Sequence, residues 1–221
     1  MFMDVMELAA KVAIFFIPFL FSLCFHEFAH AWVALKLGDD TAKSMGRLTM
    51  NPMSHAHPIG TFLLPLMVIV MNVPVFFGWA NPVPVNERNL KNARTDMFWI
   101  ALAGPLSNVL LAIVGAFLLV GVFHYLPNWG MQTAAIKFLE VFIPLNLALA
   151  LFNMIPIHPL DGGKVIARFL PYHINRKLEE NQQILSFALL FLFISGFLAL
   201  LRYPIFWGYQ LLVGIAERIL I

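Results

Sequence analysis

His26, Glu27 and His30 carry side chains able to do chemistry, and their spacing says which chemistry. On a helix, positions four apart share a face, so the two imidazoles can grip one metal ion. Glu27 lies roughly 100° around the helix from His26 and about 60° from His30, which stands its carboxylate beside the same ion. Two nitrogen ligands with a neighbouring carboxylate are parts of a zinc hydrolase: the metal acidifies a bound water and the carboxylate takes its proton. The surroundings are apolar. Val12 to Phe25 carries no charge and Ala31 to Leu35 is apolar again. Ionisable groups are costly in such a segment and by default mark function.

The composition places this helix in a membrane. Of 221 residues, 61% are hydrophobic and 12% charged, and the mean hydropathy is +0.82, far from soluble globular values. The net charge of +2 includes no basic run, so nothing suggests nucleic acid. The single cysteine, Cys24, rules out an internal disulfide and a multi-cysteine zinc site. It points away from the His26 face and reads as a small buried apolar residue. Asp4 and Glu7 near the N-terminus, with no cationic segment, argue against a cleaved signal peptide.

The elements that must hold the histidines follow from the apolar runs. Leu8 to Leu35 reads as one helix stopped by Gly38-Asp39-Asp40. Alternation around Arg47 to Met50 suggests a strand over Ser44 to Met50. Ile59 to Asn86 has no charge for 28 residues, but Gly60, Pro65, Pro74, Gly78, Pro82 and Pro84 break it. Met97 to Phe123, Thr133 to Pro156 and Ile184 to Leu201 read as spans, with a turn at Pro127 to Gly130. Tyr203 to Ala216, 14 residues long, reads as a short span or an interfacial segment. The expected fold is an all-α polytopic bundle of about five or six membrane segments, with a small β or re-entrant element after the first helix. One membrane-embedded domain over 1–221 is expected, with a catalytic core at about 8–170 and C-terminal membrane segments at 184–221.

Basic residues set the orientation. Ten of the fourteen fall in three groups: Lys36, Lys43 and Arg47; Arg88, Lys91 and Arg94; Lys164, Arg168, Arg176 and Lys177. The positive-inside rule puts all three in the cytoplasm and the N-terminus outside. Ile59 to Asn86 then cannot cross once, and two helical crossings need roughly 40 residues. A re-entrant structure is expected, shielded by protein or a water-filled cavity.

A catalytic zinc needs a third protein ligand. Asp161, in the stretch Asn153 to Gly163, is the natural candidate, because two crossings return the chain to the level of His30. An N-cap role for the same aspartate is the alternative, since glycines and a helical run follow it. His158, three residues earlier, competes as a ligand. His55 and His57 read as an accessory metal or gating pair, or as ordinary loop histidines. His124 and His173 read as interfacial or solvated.

Taken together, His26-Glu27-Phe28-Ala29-His30, Gly104-Pro105-Leu106-Ser107-Asn108 and Asn153 through Gly163 resemble the three signature motifs of the site-2 protease family of intramembrane zinc metalloproteases. Gly46 to Pro52 and Gly78 to Asn86 resemble a compact subgroup without appended PDZ or CBS domains. His57 departs from that subgroup's pattern, where an acidic residue is more usual. The resemblance implies one zinc ion on His26, His30 and Asp161, and water activation by Glu27. It places Asn108 near the site, contacting the substrate backbone or the oxyanion; a helix–helix hydrogen bond is its plainer role. The implied partners are a lipid bilayer and a transmembrane substrate whose helix unwinds to expose its carbonyls, edge-paired in one version to the strand at Ser44 to Met50. The expected place is a prokaryotic plasma membrane, and the basic groups with crossing parity set the active site towards the cytoplasm. A divalent-metal transporter and a non-catalytic scaffold on the same fold are the rivals. A transporter has little need of a general base beside its ligands, and an intact Glu27 argues against the scaffold.

Overall fold

Apolar runs that cannot hydrogen-bond their backbone to lipid close it internally as helices. The computed structural model describes residues 5–71, 78–127 and 130–221, and omits the side chains at 193 and 194. Asp4, the middle of the broken stretch (72–77) and residues 128–129 of the expected turn lie outside the described residues. In chain order the helices are α1 (Val5–Lys36), α2 (Thr41–Ser44), α3 (Pro58–Met71), α4 (Ala93–Tyr125) and α5 (Gly130–Asn153). Then come α6 (Asp161–Ala167), α7 (Tyr172–Glu180), α8 (Gln182–Ile194) and α9 (Phe197–Leu220). Four of them, α1, α4, α5 and α9, are long and apolar enough to cross a membrane, while α3 and α8 are shorter apolar helices.

The site-bearing helix, α1, widens into a π turn at Val12–Phe16. Pro18 follows, and it has no N–H to give the carbonyl of Ile14 within that turn. The helix stops where Gly38 takes φ +108°, a backbone open to glycine but strained for other residues.

α4 is the central helix and packs on α1, α5, α6 and α9. Small residues make that possible. Ala112 and Ala116 are fully buried, and a Cβ at Gly115 would lie 3.0 Å from Ile143 and from Phe142 of α5. Close approach of this kind replaces hydrophobic driving force between helices in lipid. Leu106, Leu110, Leu118 and Val114 run up the opposite face at four-residue spacing, each about half exposed. In water such a stripe would be a liability, whereas against lipid it is the expected surface.

Two expectations from the sequence fail here. No strand forms among the described residues, and Ser44 to Met50 is the end of α2 followed by turn and bend. Gly46 at φ +68° closes that helix, with its own N–H on Lys43 O (3.0 Å) and the Arg47 N–H on Ala42 O (2.7 Å). A four-residue alternation cannot outweigh a helix cap of this kind. The second correction concerns Ile184 to Leu201, which is not one span. Gly196 turns left-handed at φ +76° and splits it, and its last residues join Tyr203 to Ala216 in the longer helix α9.

The two described flanks of the broken stretch meet. Ala56 and Ala80 form an isolated antiparallel bridge, and the Trp79 N–H donates to Gly60 O at 3.1 Å. Residues 81–86 then run as an irregular strap held by side chains. The Asn81 amide donates to Ala56 O and Arg47 donates to Asn81 O (2.8 and 2.7 Å). Asp39, fully buried, accepts from the Asn86 N–H and the Asn89 amide, both at 2.8 Å. Cys24 is buried and donates to Met50 O.

Candidate metal centre

His26, Glu27 and His30 are all buried on one side of α1. Asp161 reaches them from α6, where it is the first helical residue and not the N-cap; Leu160 holds the N-cap position. Asp161 Oδ2 lies 3.1 Å from His26 Nε2 and 3.3 Å from His30 Nε2, and the two nitrogens are 3.0 Å apart. Gly162 and Gly163 let α6 press this close to the preceding loop. A Cβ at Gly162 would lie 2.5 Å from Met154 O, and one at Gly163 2.7 Å from the His158 nitrogen. Arg168 and Arg94 tie the far end of that segment to α4, through Thr95 (2.5 Å) and Leu170 O (2.6 Å).

These three atoms fit a zinc ion on two counts. Ligands about 2.0–2.1 Å from a tetrahedral ion stand roughly 3.3–3.4 Å from one another, close to the spacings found. The second count is protonation. His30 Nδ1 faces Ile100 O at 2.6 Å and His26 Nδ1 faces Asn108 Oδ1 at 2.7 Å. Both partners are acceptors, so both Nδ1 atoms carry the proton and both Nε2 atoms present lone pairs. Two lone pairs and a carboxylate oxygen converging in a buried space call for a cation.

Glu27 shares the cavity with the triad. Its Oε2 accepts the Val83 N–H at 2.9 Å. Prolines at 82 and 84 have no N–H, so Val83 is the donor the strap can offer there. The cavity holds about 460 Å³. The rest of its lining is mostly apolar, with Leu23 on α1, Met97 on α4, Phe152 on α5 and Leu189 on α8, and Asn153, Lys164 and Ser186 are its other polar members.

A family model described as Peptidase family M50 matches residues 14–128 and 120–196. The chain belongs to peptidase family M50. It is thereby a membrane zinc metalloprotease of the site-2 protease family. A Bacillus subtilis protein named "Putative zinc metalloprotease YwhC" is 40% identical over 185 residues, covering 81% of this chain and 79% of that protein. "Putative zinc metalloprotease Rip2" of Mycolicibacterium smegmatis is 31% identical over 166 residues, 74% of this chain and 60% of that protein. A Mycobacterium tuberculosis protein of the same name is 32% identical over 178 residues, 80% of this chain and 64% of that protein. The chain thus spans less than two thirds of the Rip2 proteins. No solved structure matches it.

In this M50 peptidase the structure gathers His26, His30 and Asp161 into a group able to hold a metal, the single such group among the described residues. Asn108 of α4 lies beside the triad, 2.7 Å from His26 Nδ1. It is fully buried, away from the cavity wall, and bonded to His26, Asn146 and the Ser22 carbonyl. His158 is buried outside the triad, with Nε2 unpaired. His55 is buried with Nε2 on Thr49 O. His57 caps α3, accepting the Ile59 and Gly60 N–H groups on Nδ1. An acidic side chain could accept at this N-cap in the same way. His124 and His173 are exposed. Sequence reasoning missed Ser22, Asn146 and Val83. Ser22 left a signal, since Ser22, His26 and His30 form one polar stripe at four-residue spacing.

Proposed function

We propose that this protein cleaves peptide bonds within or beside transmembrane segments of other membrane proteins, at one zinc ion held by His26 Nε2, His30 Nε2 and Asp161. The convergence of those three acceptor atoms carries the reading. Bound there, zinc supplies Lewis acidity to the scissile carbonyl and acidifies a water. Glu27 takes the water's proton and delivers it to the leaving amine. The Val83 N–H occupies Oε2 and leaves Oε1 for this transfer. Asn108 acts through His26 and not on the substrate.

The substrate is a partly unwound transmembrane helix, because a helix hides its carbonyls. The apolar walls favour lipid-soluble side chains beside the scissile bond. The described parts of the broken stretch, 59–71 and 78–86, belong to a re-entrant element over the site, a reading supported by the bridge between Ala56 and Ala80. The catalytic end faces the cytoplasm, with the N-terminus outside. In support, all three basic groups are knit together at one end, by Asp39 to Asn86 and Asn89 and by Arg94 and Arg168 across α4 and α6. With α3 and α8 counted as membrane-embedded, the segments number six. Residues 1–221 form one metalloprotease domain, with its core at about 8–170 and C-terminal segments at 184–221.

The test uses purified protein in lipid nanodiscs with zinc and a single-span substrate. Glu27→Gln is expected to keep zinc and lose cleavage by about 10²–10⁴-fold. Cleavage that persists in this variant would sink the mechanism. Zinc flux into liposomes without any cleavage would favour the transporter.

A further inference from the structure

Asn146 and Ser22 belong to no motif and line no part of the cavity, yet they end a chain of hydrogen bonds that begins at a metal-binding imidazole. The chain can be read in one direction only. The carbonyl of Phe142 can only accept, and one Asn146 amide atom lies 2.9 Å from it, so that atom is the nitrogen. Its second hydrogen goes to Ser22 Oγ, also at 2.9 Å. Asn146 Oδ1 is therefore an acceptor, and the Asn108 atom 3.0 Å away must be the Asn108 nitrogen. The Ser22 carbonyl 3.4 Å from the same nitrogen agrees. Asn108 then turns its oxygen to His26 Nδ1 at 2.7 Å, and Nδ1 must carry the proton. The His26 lone pair is left on Nε2, facing His30 and Asp161.

The two histidines differ in what fixes them. His30 is set by a main-chain carbonyl, which no substitution removes. His26 is set by side chains from α1, α4 and α5. Ser22, Asn108 and Asn146 are each completely buried, so water cannot replace a missing member. An Asn108 amide free to rotate could point its NH2 at Nδ1, draw the lone pair there and leave the proton on Nε2, where it opposes a metal.

We propose that Asn146 and Ser22 are positioning residues that hold His26 in its metal-binding tautomer through Asn108. The inference rests on the metal-site reading above. Metal-free full-length protein in nanodiscs is titrated with Zn2+ alone against a competing chelator, and the visible spectrum is recorded after loading with Co2+. Asn146→Ala is expected to weaken zinc binding about 10–100-fold, as outer partners of metal ligands do, and to shift the Co2+ spectrum. Ser22→Ala is expected to fall between it and the wild type. The double variant Asn108→Ala/Asn146→Ala should lose no more than Asn108→Ala alone, because Asn146 acts through Asn108. Ile143→Ala, equally buried on the same helix, costs packing but should keep wild-type zinc affinity and spectrum. Wild-type affinity in Asn146→Ala, losses that multiply in the double variant, or an equal loss in Ile143→Ala would each overturn the relay. His26→Ala separates the two ideas. Wild-type zinc affinity in that variant overturns the metal-site reading and the relay with it. Weak binding there beside an unaffected Asn146→Ala overturns the relay alone.

Discussion

Gly104→Ala places a methyl group against the two imidazoles proposed to bind zinc. The new Cβ would lie 2.6 Å from His26 Nε2 and nearer still to His30 Nε2. Ordinary contact begins at 3.4 Å, so the methyl falls at least 0.8 Å short. Neither ring can retreat freely. His26 is bonded through Nδ1 to Asn108 and His30 to Ile100 O, both on the same helix as Gly104, so moving α4 away pulls on both bonds. Overpacking of this kind costs about 1–3 kcal/mol. Expressed in metal binding, that is a loss of roughly 5–150-fold. The assay is zinc titration of detergent-purified protein, with thermal unfolding of the metal-free form alongside. Gly121→Ala is the paired control on the same helix, because its Cβ would meet nothing within 4 Å. That substitution should be neutral or stabilising by up to about 1 kcal/mol, with unchanged zinc affinity. Wild-type zinc affinity in Gly104→Ala would refute the close approach of α4 to the imidazoles.

Two further outcomes test the strap and its entry. Burial pushes the Asp39 carboxyl up, but hydrogen bonds from the Thr41 hydroxyl, the Asn86 N–H and the Asn89 amide outweigh it and hold Asp39 below the usual carboxylate range. Its stabilisation is therefore complete above about pH 4, the unfolded value, and is lost as pH falls further through the folded one. Asp39→Ala should lower the unfolding temperature at neutral pH, at about 1.5–3 kcal/mol per lost hydrogen bond to the charge, and should flatten the acid slope of a melting series. At His57 the demand is for an acceptor. His57→Ala should cost about 1 kcal/mol of stability and His57→Asp should restore most of it, read by thermal unfolding.

What could be read from sequence depended on whether the chemistry shared one helix. His26, Glu27 and His30 declare themselves because four-residue spacing is local. Asp161 lies 131 residues beyond His30, and only crossing parity and family likeness pointed to it. Run lengths located the spans of α1, α4 and α5 to within a few residues, because lipid demands length and apolarity. They could not locate Gly196, since hydropathy does not register the left-handed residue that splits one apolar run and lengthens the next. The strand expected at Ser44 to Met50 failed because the cap at Gly46 is tertiary as well as local: Asp39 holds Thr41 on one side and Asn86 on the other.

The amides follow a different logic. Asn146 is the one polar residue between Val141 and Phe152, and a lone amide in a spanning helix requires a buried partner. That rule, applied to Asn108, gave a helix–helix hydrogen bond, and family likeness alone set it near the site. Applied to Asn146 it would have found the second amide, but not that the two meet, because a pairing across α4 and α5 leaves no trace in either helix's own periodicity. The Gly104 to Asn108 motif can now be taken residue by residue. Gly104 admits the imidazoles, Ser107 returns its hydroxyl to Gly104 O, and Asn108 turns its oxygen to His26. Its apolar member, Leu106, faces outward. On the proposed reading, the motif sets the protonation of an imidazole on another helix, and does so through a third helix that holds the amide the right way round.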